Sequence, residues 1–180
     1  MVTKAARRYA NALLITAIEQ NILEEVREDM RLIHQTIADS SELSVFLKSP
    51  IIKNDVKKSA LDVIFSDKVQ QLTANLITIL SDKSRESLLY SITEGFMELY
   101  NKHHNIIEVD VETAFELNDA QETSLKKELE AITGKTIKMR IEKNEALIGG
   151  LSVRIEDTVY DGSAKYKLNQ LKRKFTTAVE

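Results

Sequence analysis

The chain has no cysteine, a single proline and five glycines among 180 residues, and only 6% of its residues are aromatic. Without cysteine, disulfides and thiolate metal sites are excluded. No stretch approaches the roughly 18 to 20 consecutive apolar residues that a membrane-spanning helix needs, so any membrane association is expected to come through partners, without direct insertion. A surplus of one charge is missing too. The 25 Lys and Arg against 28 Asp and Glu leave a net charge of −3, which is no polycation built for a nucleic-acid backbone. Lys4, Arg7 and Arg8 precede an apolar run and faintly mimic a targeting peptide. The small-residue cleavage site is absent and the pattern runs on as a helix, so this is read as mature protein. What is present is 43% hydrophobic residues, enough for one large domain or two small ones.

The apolar residues fall into two regimes. Up to about residue 105 the spacing is helical. Ile22, Val26, Met30, Ile33 and Ile37 form one stripe, with Asn21 and Glu24 as a capping pair at its entrance. Leu43, Phe46 and Leu47 stop before Pro50, which ends a helix or opens a new segment. Val56, Ala60, Leu61 and Ile64 follow, then Val69, Leu72, Leu76, Ile79 and Leu80, then Leu88, Ile92, Phe96, Leu99 and Tyr100. With the first segment this predicts an N-terminal all-α six-helix bundle over residues 1–105. After "NKHHN" the period becomes two. "IIEVDVETA", "TIKMRIE" and "LSVRI" alternate as half-buried strands. Asn118 or Asp119 opens a helix that ends at Gly134, and Ala164, Leu168, Leu171 and Phe175 stripe a last helix. Residues 106–180 are therefore expected to form a small C-terminal α+β domain of antiparallel character.

Catalytic patterns do not emerge. The glycines form neither a P-loop nor a G-x-G-x-x-G turn, so no nucleotide cofactor is expected. Ser163 lies outside any G-x-S-x-G elbow, and Ser124 to Lys127 matches S-x-x-K only on a charged, solvated helix. His103 and His104 are neighbours, about 100° apart on a helix, with no carboxylate completing a ligand set. No metal is expected either.

The stretch "ALIGGLSVRIEDTVYDGSAKYKL" reads first as a chain turning corners. Gly149 and Gly150 allow a bend or a close approach before a strand. "EDT" turns it into a second strand, Asp161-Gly162 breaks that strand, and Ser163 or Asp161 caps the last helix. The order is nonetheless particular. "LIGGLSVRIEDTVYDGSAKYKLNQLKRKF" closely resembles the C-terminal signature of the delta subunit of F-type ATP synthases, the relative of the mitochondrial oligomycin sensitivity conferral protein. "AARRYANALL" and "LKSPIIKNDVKKSAL" are similar to that family's first helix and mid-domain segment. Tyr166 stands where many relatives carry glycine, which leaves the local contacts of the last helix open.

The resemblance implies a non-catalytic stator subunit at the cytoplasmic face of the cell membrane, peripheral, within the ATP synthase complex. Its N-terminal bundle would hold the N-terminal helix of an alpha subunit through its first and fifth helices. Its C-terminal domain would engage b-type peripheral stalk subunits, and the link would help couple proton transport to ATP synthesis. Both of those helices carry unusually wide apolar arcs. They are either central in the bundle or walls of a groove for an amphipathic helix. The groove reading selects Tyr9, Ala12 and Leu13 with Leu76, Ile79 and Leu80. For the stalk, Lys165, Lys167, Leu168, Leu171, Lys172 and Arg173 are the candidates, a solvated basic face being the plainer alternative. A rival reading is a helical, antitermination-like RNA-binding module; acidic surroundings and strands without paired aromatics for base stacking weigh against it.

Overall fold

The structure, a computed structural model, describes residues 2–177 and the side chains of residues 2–174. The side chain of Phe175, expected on the last stripe, lies outside that range. The chain divides into two units, Met1–His103 and His104–Glu180.

The first unit is helical, with α1 (Lys4–Glu19), α2 (Leu23–Asp39), α3 (Ser41–Lys48), α4 (Asn54–Phe65), α5 (Gln71–Asp82) and α6 (Leu89–His103), the last entered through a 3₁₀ turn at Glu86–Leu88. Helix α6 packs along α1 and α2. The closeness of α1 and α6 rests on small residues. Ala6, Ala10 and Ala17 are fully buried, and a Cβ at Gly95 would lie 3.0 Å from Val2 Cγ1 and 3.5 Å from Ala10 Cβ. The start of α5 is held by α2: the Gln70 N–H and the Thr73 hydroxyl donate to buried Asp29 Oδ2 at 2.8 and 2.7 Å. That carboxylate replaces a cap which Gln70 does not supply itself. Buried Lys57 donates likewise to the Leu47 carbonyl at the end of α3, at 3.0 Å.

The Asn21–Glu24 capping pair does not form. Asn21 takes φ 56 and ends α1, with Asn21 N–H bonded to the Ile18 carbonyl and Ile22 N–H to that of Ala17. This is a Schellman closure, for which asparagine is the common non-glycine residue. Glu24 instead accepts the Tyr100 hydroxyl at 2.6 Å, and Arg27 lies 5.1 Å from the Tyr100 ring centroid. Burial, and then the Glu24 carboxylate, push the Tyr100 hydroxyl pKa upward, so it stays a donor.

The second unit contains β1 (Ile106–Thr113), α7 (Asp119–Thr133), β2 (Thr136–Lys143), β3 (Leu151–Ile155), β4 (Thr158–Asp161) and α8 (Ala164–Thr177). The sheet order is β2-β1-β3-β4. It is mixed, which corrects the antiparallel expectation: β1 and β2 run parallel, and only β1–β3 and β3–β4 are antiparallel. A strand that returns through a helix comes back in the same direction, and α7 is such a crossover. Asn118 opens α7 with a complete capping box to Gln121. Gly134 closes it in the left-handed region at φ 67. Ile107, Val109, Val111, Ile137, Val153 and Leu129 of α7 form the core. The other face of the sheet is charged, with Lys138 bonded to Glu108 at 2.9 Å and Arg140 at 3.6 Å from Asp110.

The glycine-rich corner ties β3 to the start of α8. Gly150 sits at φ 76, and a Cβ there would be 2.7 Å from the Gly162 carbonyl oxygen. Gly162 N–H donates to the Leu151 carbonyl at 3.0 Å, and Ala164 N–H to that of Gly149 at 2.8 Å. Ser163, not Asp161, caps α8: its hydroxyl accepts from Tyr166 N–H at 3.1 Å, while Asp161 accepts from Ser163 N–H at 2.9 Å. Ser163→Ala is expected to destabilise α8 locally by about 1 kcal/mol, read as faster hydrogen exchange of its amides with the first unit unchanged.

Candidate functional site

Helices α1 and α5 leave an apolar groove between them, a cavity of about 260 Å³. From α1 it receives Tyr9, Ala12, Leu13 and Thr16; from α5 it receives Leu72, Asn75, Leu76 and Ile79. The wide arc of α1 is thereby divided. Ala10, Leu14 and Ala17 face the core, while Tyr9 and Ala12 on the other side retain accessible surface. On α5, Thr73, Ile77 and Leu80 are buried in the same way. Leu13 and Leu76 are nearly buried and form the groove floor, whereas Ile79 is 48% exposed and stands as a wall.

Leu80 must be removed from the predicted set. It has no accessible surface, because one residue past Ile79 is a turn of about 100° toward the core. Thr16, Leu72 and Asn75 join the groove unannounced. Leu72 was legible in the α5 stripe, but Thr16 and Asn75 are polar, and an apolar pattern passes over them. Their place follows from spacing alone, Thr16 four residues after Ala12 and Asn75 four before Ile79. At the rim the Arg85 guanidinium donates to the Tyr9 hydroxyl at 3.0 Å.

In the second unit, α8 presents Leu168 and Leu171, 56% and 50% exposed, with Lys165, Lys167, Lys172 and Arg173 also at the surface. Packing does not cover this stripe, since α8 touches chiefly the 3₁₀ turn Glu145–Leu147. An open apolar hollow lies beside it, lined among others by Val159, Tyr160 and Tyr166. The bulk at Tyr166 thus adds surface to this hollow. Gly149, Gly150, Asp161, Gly162 and Ser163 shape the corner that launches α8.

A cavity of about 220 Å³ on the charged sheet face is lined by residues such as Asp110, Glu112, Arg140 and Arg154. It brings together charged side chains, of which Arg140 and Asp110 form an ion pair at 3.6 Å. His34 Nδ1 lies 3.2 Å from Thr93 Oγ1 and its ring stacks on Tyr90 at 4.7 Å, a packing role. Among the described residues no cluster of His, Asp and Glu could hold a metal ion, and no helix is long and apolar enough to cross a membrane.

Residues 5–175 match the family model described as the ATP synthase delta (OSCP) subunit. The ATP synthase subunit delta of Chlorobaculum tepidum is 40% identical over 168 residues, 93% of each chain. That of Chloroherpeton thalassium is 36% identical over 171 residues, 95% of this chain and 93% of the relative. A chain in the structure of the Toxoplasma gondii mitochondrial ATP synthase hexamer superposes with a TM-score of 0.73 at 23% identity, covering 97% of this chain and 98% of the other. That last similarity speaks for the fold.

Proposed function

The chain belongs to the ATP synthase delta (OSCP) subunit family, non-catalytic components of the peripheral stalk of the F-type ATP synthase, and from this premise we propose how its two units divide the work. The N-terminal unit, read as a six-helix bundle, grips the N-terminal helix of an alpha subunit in the α1–α5 groove. The C-terminal unit engages b-type stalk subunits through α8. Standing peripherally at the cytoplasmic face of the membrane, the chain links head to stalk, so that the head does not turn with the rotor.

One observation carries this reading: two helices whose core-facing sides are already filled keep a second apolar face around a groove. An amphipathic helix laid there would bury its own apolar stripe. A clamp of this kind needs affinity at both ends and no reacting group.

The test is co-purification of the tagged full chain with alpha and b-type subunits from membranes of its source. Leu168→Asp with Leu171→Asp should lose the b-type subunits and keep alpha, because both leucines are half exposed and substitution leaves the core intact. Recovery of neither partner by the unmodified chain overturns the assignment of partners.

A further inference from the structure

The groove has a charge polarity along its length. Helix α1 places all its cations, Lys4, Arg7 and Arg8, in its N-terminal half and its sole acid, Glu19, in the last turn. Arg7 is engaged with Glu98 at 3.2 Å; Arg8, beside Tyr9, is exposed. Helix α5 is antiparallel to this, since the Arg85–Tyr9 bond brings the segment after α5 to the N-terminal half of α1. Lys83 follows Ile79 by one turn and is exposed, its N–H bonded to the Ile79 carbonyl at 3.1 Å. Asp82, the last residue of α5, is already paired with Lys58 at 3.4 Å, and Glu86, next to Arg85, is buried. The Tyr9–Ile79 end of the groove is therefore bordered by Arg8, Lys83 and Arg85. At the Thr16–Leu72 end stands Glu19, and exposed Asp67 and Lys68 just before α5 offset each other in charge.

We infer that the groove orients its occupant by charge: an amphipathic helix seats with its acidic end against Arg8, Lys83 and Arg85, and its basic or neutral end toward Glu19. Apolar contacts supply most of the affinity but little direction, because a leucine stripe reads much the same from either end. Charges at the rim distinguish the two orientations, since juxtaposing like charges is unfavourable. Arg85 has a double part, holding the Tyr9 hydroxyl at the wall and presenting its charge to the guest. This rests on the groove being a helix-binding site.

The experiment uses the full chain and two synthetic helices about five turns long, with blocked termini and the same apolar face. One carries glutamates in its first turn and lysines in its last; the other has them exchanged. A photo-cross-linker sits at the glutamate end of each. The expected result is that both peptides cross-link to Lys4–Tyr9 or Ile79–Arg85, so that exchanging the charges reverses the bound direction. In the Lys83→Glu, Arg85→Glu variant, which leaves a net charge of about −1 beside Tyr9 and Ile79 to match Glu19 at the other end, the same cross-linker should lose its preference for one end. Both substitutions are at exposed positions, and an unchanged melting curve checks the fold. If both peptides bind but cross-link indifferently, or at the Glu19 end of the unmodified chain, the polarity is overturned and the groove stands. If neither peptide binds a folded chain, the groove reading falls, and the polarity with it.

Discussion

Ile79→Asp is expected to abolish capture of an alpha-subunit N-terminal helix, weakening it by about 100-fold or more, while the chain melts as before. A central interface anchor contributes about 2 kcal/mol on truncation, and burying a new carboxylate under an apolar guest adds its desolvation cost. Together these reach the roughly 2.8 kcal/mol that makes a factor of about 100. The free protein is spared because Ile79 is 48% exposed, so the aspartate is solvated until a partner arrives. Leu80→Asp is the contrasting control. Leu80 has no accessible surface, and a carboxylate there should unfold the N-terminal unit. Calorimetric titration with the peptide, beside thermal melting, separates the two; an unchanged affinity for Ile79→Asp removes the groove as the binding site.

Gly150→Ala should destabilise the C-terminal unit by about 2–4 kcal/mol, whereas Gly149→Ala should change it by less than about 0.5 kcal/mol. The two residues are adjacent and chemically identical, so the difference is purely positional. At Gly150 the left-handed φ of 76 costs any other residue about 1 kcal/mol. The added Cβ would also meet the Gly162 carbonyl oxygen at 2.7 Å, a backbone atom with nowhere to go. Yielding would strain the Gly162–Leu151 and Ala164–Gly149 hydrogen bonds that launch α8. A Cβ at Gly149 would meet only Ala164 Cβ at 3.5 Å, ordinary contact. Chemical denaturation of both variants measures the gap, and equal losses would show that the corner is not built this way. Ile148, just before, also takes a left-handed φ of 67, which no pattern of apolar residues announces.

Much of this was legible from local pattern. The change of period after His104 and the corner at Gly149-Gly150 depend on residues close in sequence, and so does the α8 cap, for which Ser163 and Asp161 were both candidates. So did the family, whose signature is a contiguous run. The misreadings share a cause. Asn21 has chemistry suited either to starting α2 or to ending α1, and only the path of the chain decides. Strand direction around α7 depends on which edge the returning strand joins. Leu80 and Ile79 look alike in composition, yet Ile79 lines the groove and Leu80 faces the interior.

By itself the sequence determined that helices give way to a sheet near residue 104 and that α1 and α5 carry more apolar surface than one contact needs. Only the tertiary structure decided which part of that surface is left over. A helical period specifies which residues share a face, because that follows from 100° per residue. What lies against the face depends on other elements: here α6 takes the alanines of α1, Asp29 of α2 fixes the start of α5, and Arg85 comes to rest on Tyr9. These contacts join residues 41 to 85 positions apart, and no local spacing encodes them.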